Sequence, residues 1–350
     1  MKGFFEYVKA IPVKQKIKYC TMLAVLVIFL IFIGIGSYFK NLLPDVNAYK
    51  KWDKKEEYTQ MAVYLPLGIM SDSTMYDGMM YSMQEKLQNE GYKPENAKAR
   101  MMLGAYSGSG SITLATDKAT ATVDVIGVGG DFFYFHAIDL MDGSYLSSEA
   151  LMQDYVILDK NTAWKLFGAI NVTGMTVMIG DTPFLVAGVY EPTDIYLAKE
   201  AGLENSFVFM HYDAMEQFGN SSGVQWLDFI VPNPVKGYGK KLLEENSVLS
   251  LENCIVIENS TRYQALSLYK LVPDYLERVM SKTGIVYPYW ENIARGYENI
   301  LVVFLLVETV CLGIGIALLL NIIKPVKNIK RAINWLVTKI KGGKSYEKNV

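Results

Sequence analysis

The sequence contains few residues of the types that carry out chemistry. Only 3 cysteines and 2 histidines occur among its 350 residues. Cys20 and Cys311 lie inside long apolar runs, which leaves Cys254 as the single cysteine between those runs. One cysteine cannot form an intramolecular disulfide, so the part of the chain around it must fold by packing alone.

The motifs of common catalytic sites are also missing. No segment matches the complete Gly-x-x-x-x-Gly-Lys-Ser/Thr pattern of a nucleotide-binding loop, and no His-Glu-x-x-His is present. We interpret His136 and His211 as packing or surface residues and not as metal ligands. Gly219–Gly223 formally matches Gly-x-Ser-x-Gly, but it follows a predicted helix over Tyr212–Phe218 where a nucleophile elbow follows a strand. The sequence therefore predicts a non-enzymatic protein without a cofactor or a bound metal.

Charged residues are nearly absent from two long segments near the ends of the chain. The run Tyr19–Phe39 contains none, and the run Ile300–Ile323 contains only Glu308. Each run reaches the roughly 20 residues that a helix needs to cross a bilayer. Gly34 and Gly36 also allow the first run to be a cleaved signal peptide. We favour a retained anchor, because the run continues past both glycines, and we predict transmembrane helices over residues 19–39 and 300–323.

Basic residues accumulate outside both runs. Residues 1–18 hold five lysines against one glutamate, and residues 324–350 hold seven lysines and one arginine against one glutamate. Lysine and arginine accumulate on the cytoplasmic side of a membrane. We therefore predict a cell-membrane protein with both termini in the cytoplasm, as basic amphipathic segments on the inner leaflet, and residues 40–298 outside. The outer part is acidic, which argues against binding of nucleic acid.

Strand and helix signals alternate irregularly between the two runs. The pattern predicts an α+β domain of two lobes, because no regular succession of strand and helix is present. A helix over residues 75–89 can be capped by Ser71 or Asp72 and ended by Gly91. The glycine-rich segment Gly104–Ser111 predicts a flexible loop. Strands are predicted over residues 60–65, 112–115 and 121–128.

The most specific pattern lies within residues 122–191. A short helix over Ala163–Gly168 is predicted to be capped by Asn161 or Thr162. Leu166 and Phe167 are predicted to enter the core, and Gly168 allows a left-handed turn. A hairpin of residues 175–179 and 184–189 follows, with a tight turn at Gly180-Asp181.

This succession resembles the periplasmic core domain of MacB-type ABC transporter permeases. That domain has a strand, a turn with two phenylalanines, a short helix ending in Leu-Phe-Gly and a glycine-flanked hairpin in this order. The resemblance identifies markers of the domain fold, which are Gly143, Leu166, Phe167, Gly168, Gly174 and Gly188. It also implies that the domain lies between the first two transmembrane helices and has two lobes. The strand Trp226–Val231 and the helical segment Gly237–Glu245 then correspond to the return to the first lobe.

The resemblance implies a function without catalysis. Family permeases carry two further helices after the second one, so we expect this chain to act as half of a permease-like unit. The main hypothesis is a non-enzymatic permease-like subunit of an ABC export or mechanotransmission system, with the external domain as the moving or partner-binding part. Its expected partners are an ABC ATPase, a full permease subunit or a second copy of the chain. The alternative is a membrane-anchored binding or sensor module that acts without an ATPase.

The second apolar run carries the candidate residues for partner binding. Thr309, Gly313 and Ala317 are spaced four apart, which predicts a stripe of small residues that lets another helix approach closely. Glu308 lies beside Thr309 in the sequence, and an acid at this depth normally faces protein or water. A glutamate that only orients the helix remains the alternative. The segment Tyr287–Asn292 before the run predicts an aromatic belt at the membrane interface.

Overall fold

The computed structural model describes most of the chain as two compact units. Described are residues 12–52, 57–69, 71–93, 99–148, 150–192, 197, 207–246, 248–276 and 285–343, with side chains as far as Asn321. One unit comprises Met1–Lys40 with Ile300–Val350, and the other comprises Asn41–Asn299. This division separates the two apolar runs from everything between them.

The first unit contains the two predicted membrane helices. Helix α1 spans Val13–Leu42, and the long helix α9 spans Tyr289–Gly343. Val13–Leu42 and Tyr289–Asn321 are each long and apolar enough to cross a membrane, with a mean hydropathy of 2.6. Both helices extend beyond the predicted runs, because hydropathy marks the apolar part of a helix and not its ends. The amphipathic segment before Pro12 and the side chains of the tail lie outside the described residues.

The second unit is built on one mixed sheet of eleven strands among the described residues. The strand order is β11-β1-β10-β2-β3-β8-β5-β7-β4, with β6 pairing β2 and β7, and β9 pairing β2. The strands are β1 Tyr58–Tyr64, β2 Leu103–Ala115, β3 Thr120–Gly130, β4 Asp139–Gly143, β5 Tyr155–Asp159, β6 Thr176–Ile179, β7 Thr182–Glu191, β8 Phe207–His211, β9 Asn220–Ser221, β10 Trp226–Pro232 and β11 Ile255–Glu258.

The helices of the second unit cover both faces of this sheet. They are α2 Tyr49–Trp52, α3 Ser73–Asn89, α4 Phe132–Phe135, α5 Lys160–Phe167, α6 Tyr212–Phe218, α7 Tyr238–Glu244 and α8 Ala265–Tyr269. Side chains alternate between the two faces of a strand. In β1, Met61 and Val63 enter one hydrophobic core, whereas Ala62 and Tyr64 enter the other. The sheet is therefore buried on both sides.

The predicted α+β class is confirmed, and the two parts of the domain share the sheet. The first part holds β11, β1, β10 and part of β2, and the second holds β3, β8, β5, β7 and β4. The long β2–β3 hairpin, paired from Ala105↔Gly130 to Ala115↔Thr120, joins them. The predicted strand from Trp226 is present as β10, which pairs with both β1 and β2.

The predicted loop over Gly104–Ser111 is wrong, because these residues form the first part of β2. The glycines there permit close approach of a neighbouring backbone. A Cβ at Gly108 would lie 2.2 Å from the Gly223 carbonyl oxygen, and one at Gly110 would lie 2.5 Å from that of Asn220. Glycine in a strand often marks such a site. The glycine-rich composition of this segment suggested a flexible loop, but the structure has a tightly packed strand there.

Helix caps and turns follow the predictions in part. Asp72, one of two predicted caps of α3, accepts a hydrogen bond from the backbone N–H of Met75 at 2.9 Å. The cap of α5 is Asp159, which accepts from the backbone N–H groups of Asn161 and Thr162. The prediction of Asn161 or Thr162 as the cap is wrong, because both residues are already inside the first turn.

The family-marker residues lie at turns, close approaches and core positions. Gly168 ends α5 in the left-handed conformation at φ 71, and Gly174 has φ 79. Gly143 and Gly188 face each other across β4 and β7, where a Cβ at Gly143 would lie 2.1 Å from the Ala187 carbonyl oxygen.

The two apolar markers of α5 differ in burial. Leu166 is fully buried. Phe167 packs against the core but remains partly exposed, so the prediction that its ring enters the core is only half right. A two-turn helix on the surface of a sheet directs one of two adjacent side chains inward and the other sideways.

Candidate functional site

The small-residue stripe of α9 lies on an open face of the first unit. Thr309, Gly313 and Ala317 are all exposed. The Thr309 hydroxyl donates to the Leu305 carbonyl oxygen at 2.8 Å within the helix. No described atom lies within 4 Å of the position that a Cβ of Gly313 would take. Another helix can therefore approach this face without displacing any described part of the chain.

The two candidate spans pack on each other through a different face of α9. Gly36 is buried in α1, and a Cβ there would lie 3.7 Å from Leu301 Cδ2 and 3.9 Å from Phe304 Cδ2. The rings of Phe32 and Phe304 meet edge to face with centroids 5.1 Å apart. A glycine thus lets the two helices of this unit approach each other beside aromatic rings.

Helical geometry separates the stripe from Glu308. With about 100° of rotation per residue, Gly313 lies about 180° from Phe304 around α9. Glu308 lies only about 40° from Phe304 by the same geometry and is half-buried. The stripe and the acid therefore occupy different faces, although Glu308 and Thr309 are adjacent in the sequence.

A cluster of buried charges lies within the second unit at the beginning of α9. The Arg262 guanidinium donates to both carboxylate oxygens of Glu291 at 2.7 and 2.8 Å and to Glu298 at 2.6 Å. Arg295 and the Tyr64 hydroxyl also donate to Glu291. Burial alone would lower the pKa of Arg262, but the facing carboxylates raise it well above its ordinary value. Such pairing is what makes buried charges tolerable.

A second buried charge bridge is centred on His136, which is 2% exposed. Its Nδ1 lies 3.0 Å from Asp45 Oδ1, and its Nε2 lies 3.0 Å from Asp228 Oδ2. The ring stacks on Trp290 with centroids 4.3 Å apart. Burial alone would lower the pKa of His136, but the carboxylates of Asp228 and Asp45 more than offset this and raise it to about 9. The imidazole is therefore a cation at neutral pH and donates to both acids.

The two charge systems meet at one small cavity. His136 and Asp228 line it from one system, and Tyr64 and Glu291 line it from the other. Trp290 lines it as well, and its indole N–H has no hydrogen-bond partner among the described residues. No group of three His, Cys, Asp or Glu suited to a metal ion occurs in the part of the chain that the structure describes.

Sequence reasoning missed this site. His136 is a packing residue, as interpreted, since it is buried and stacks on Trp290. Its pairing with two acids was not predicted, because those acids are 91 and 92 residues away in the sequence. One signal was available: Asp228 is a single acid inside an otherwise apolar strand. An acid is almost never fully buried unless it is paired, so the strand itself indicated a buried cation.

The predicted aromatic belt is also corrected. Tyr287 and Trp290 are buried in a core of the second unit, and Glu291 belongs to the charge cluster. In contrast, the interpretation of Gly219–Gly223 holds. Helix α6 ends at Phe218, directly before this segment, so its serine does not follow a strand as a nucleophile elbow requires.

Comparisons with known proteins place this architecture in a family. Residues 21–233 match the family described as the MacB-like periplasmic core domain. The macrolide export ATP-binding/permease protein MacB of Shewanella oneidensis is 32% identical over 130 residues, which are 35% of this chain and 19% of that relative. The protein of the same name from Acinetobacter baylyi is 26% identical over 182 residues, which are 51% of this chain and 25% of the relative.

The chain thus spans only a fifth to a quarter of the length of these relatives. Among solved structures, the periplasmic region of MacB from Actinobacillus actinomycetemcomitans matches with a TM-score of 0.40 and 15% identity, covering 59% of this chain and 92% of that one. The sequence match covers more than half of the chain and includes the sheet from β1 to β10. The chain belongs to the family of the MacB-like periplasmic core domain, which it carries between two candidate membrane spans.

Proposed function

We propose that this protein is a non-enzymatic, permease-like subunit of a MacB-type ABC export or mechanotransmission system. The observation that carries the proposal is the family match over residues 21–233, which begins inside the first candidate span, Val13–Leu42, and ends before the second, Tyr289–Asn321. The curated relatives are named as ATP-binding and permease proteins, and the aligned part is a limited share of each. In this proposal, ATP hydrolysis by a partner changes the position or shape of the external domain.

Charge supports the orientation that this function requires. The lysine-rich segments 1–18 and 324–350 lie in the cytoplasm, where an ABC ATPase is located, and residues 40–298 lie outside. The domain then faces the compartment in which an exported molecule or an envelope partner is met.

The stripe of Thr309, Gly313 and Ala317 supports a partner in the membrane. It is exposed on the face of α9 opposite Phe304, whereas the other face packs on α1. Helices in lipid associate through close backbone approach and interhelical hydrogen bonds. We propose that the stripe seats a helix of a permease subunit or of a second copy. Glu308, on a different face, acts as a separate polar contact near α1.

Replacement of Gly313 by leucine tests this proposal. Gly313→Leu places a bulky side chain at the centre of the stripe and should reduce co-purification of membrane partners from native membranes several-fold. Gly315→Leu is the matched control, since it makes the same substitution two residues away, on the face near Phe304, where a Cβ also meets no described atom within 4 Å. Retention of every membrane partner by Gly313→Leu would refute the subunit proposal and favour a sensor module that acts alone.

A further inference from the structure

The connector, residues 43–52, follows α1 and leads to the sheet of the second unit. It contains a 3-10 helix over Asp45–Asn47 and helix α2 over Tyr49–Trp52. Gln60 of β1 holds its backbone, because the side chain donates to the Asp45 carbonyl oxygen and accepts from the Tyr49 N–H. Apolar side chains of the connector, Val46 among them, are buried on the same unit.

Asp45 of the connector forms an ionic contact with His136, with Oδ1 and Nδ1 3.0 Å apart. His136 also binds Asp228, so one cation is shared by two acids on different elements. The two acids differ in their access to water. The side chain of Asp228 is 6% exposed, whereas that of Asp45 is 26% exposed. If the cation is lost, Asp45 can regain solvent by a small movement, and Asp228 cannot.

The other charged groups around His136 do not replace its charge. Glu291 and Tyr64 line the same cavity, and Glu291 is already paired with Arg262 and Arg295. Among the described residues, Asp45 and Asp228 therefore share one cationic partner, the imidazole of His136. A cation that is hydrogen-bonded to two carboxylates makes short, charge-assisted contacts of the stronger kind.

We propose that His136 is a clamp that fastens the connector after the first candidate span to the centre of the sheet, and that the clamp opens at Asp45. The connector then covers the small cavity that Asp45, His136 and Asp228 line. It can be released when the contact between Asp45 and His136 breaks. This role is independent of the proposed ATPase partner, since every group that forms the clamp lies in this chain.

Hydrogen exchange of the full chain in detergent tests the proposal. Asp45→Asn should accelerate amide exchange within residues 43–52 at least tenfold, while β10 keeps its protection. His136→Gln should accelerate exchange in the connector and also in β10, because it leaves the buried carboxylate of Asp228 without its cation. His211→Gln, which changes the second histidine of the sequence, is the matched control and should leave the connector unchanged. Asp45→Asn keeps the His136–Asp228 pair, so it gives a decisive result even if His136→Gln does not fold.

Two outcomes would overturn the clamp. Wild-type protection of residues 43–52 in Asp45→Asn would show that apolar packing alone holds the connector. An equal loss of protection in the connector and in β10 of Asp45→Asn would show that the bridge contributes to general stability and does not fasten a separable connector. Acceleration confined to the connector in Asp45→Asn supports the proposal.

Discussion

At the scale of single residues, the burial of Asp228 and the positive charge of His136 depend on each other. Asp228 lies in the middle of the sheet, on a strand whose residues are all buried. A carboxylate in such a place is unfavourable without a cation. His136, directly after α4, supplies the cation through the contact of its Nε2 with Asp228 and reaches Asp45 of the connector with its Nδ1. His136 therefore has a structural role, although histidine usually suggests catalysis or metal binding.

The raised pKa of His136 predicts that the protein loses stability in alkali. Since the pKa rises from 6.5 to about 9 on folding, the contribution is fully present below about pH 6.5 and is lost as the pH rises through 9. The loss should reach about 3 kcal/mol in the free energy of unfolding. Denaturant unfolding of the full chain in detergent between pH 6 and 10 measures it. His136→Gln should abolish this pH dependence, and an identical slope in the variant would contradict the assignment.

The adjacent residues Leu166 and Phe167 should respond differently to truncation. Leu166→Ala removes a fully buried side chain and should lower the free energy of unfolding by about 3 kcal/mol. Phe167→Ala should cost about half as much, because part of the ring is already in solvent. Thermal or denaturant unfolding of the two variants compares them directly. A larger effect of Phe167→Ala would mean that its ring carries more of the packing than its exposure indicates.

At the scale of elements, local signals in the sequence correctly predicted those helices and turns that local interactions determine. The position of α3, the hairpin of β6 and β7, and the left-handed end of α5 at Gly168 follow from capping residues, tight turns and glycine. The strand character of Gly104–Ser111 could not be predicted in this way. Its glycines are required by backbone atoms of residues 220–223, more than a hundred residues further along the chain.

Two glycines of the second unit should therefore respond to alanine with opposite signs. Gly108→Ala places a methyl group 2.2 Å from a backbone oxygen and should destabilise the protein by about 1–3 kcal/mol. Gly78→Ala lies within α3, where the new methyl would make an ordinary contact of 3.4 Å with Val248, and should stabilise it by up to about 1 kcal/mol. Unfolding midpoints of the two variants test this. Equal effects would mean that β2 can move away from residues 220–223.

At the scale of the whole molecule, the distribution of apolar residues and one set of motifs were the informative features of the sequence. The apolar runs indicated both candidate spans, and the marker glycines and the Leu-Phe-Gly helix end indicated the family. Asp228 indicated a buried cation, but the partners in the buried charge systems could not be predicted, because they come from six elements and connections. Glu308 and the stripe could be assigned to different faces of α9 only after its contact with α1 was known. The linear sequence does not contain this contact.

The proposed orientation predicts a definite labelling pattern. In a Cys254→Ser background, cysteines at the exposed positions Ser147 and Ser222 should react with a membrane-impermeant thiol reagent in intact cells. A cysteine at Ser345 should react only after lysis, because the proposed orientation puts the tail in the cytoplasm. Labelling is read by a mass shift of the purified protein. Reaction at Ser345 in intact cells, or a mature N-terminus near Ser37, would refute the two-span orientation.

The opposed faces of α9 also constrain symmetry. If a second copy occupies the stripe, the contact is isologous, and a two-fold axis passes beside Gly313. The helices then lie in the order α1, α9, α9 of the partner and α1 of the partner, with each α1 on the outer flank. Such a dimer is closed, since the stripe of each copy is used by the other. Native mass spectrometry of the protein in detergent would then show dimers and no larger assemblies of the chain.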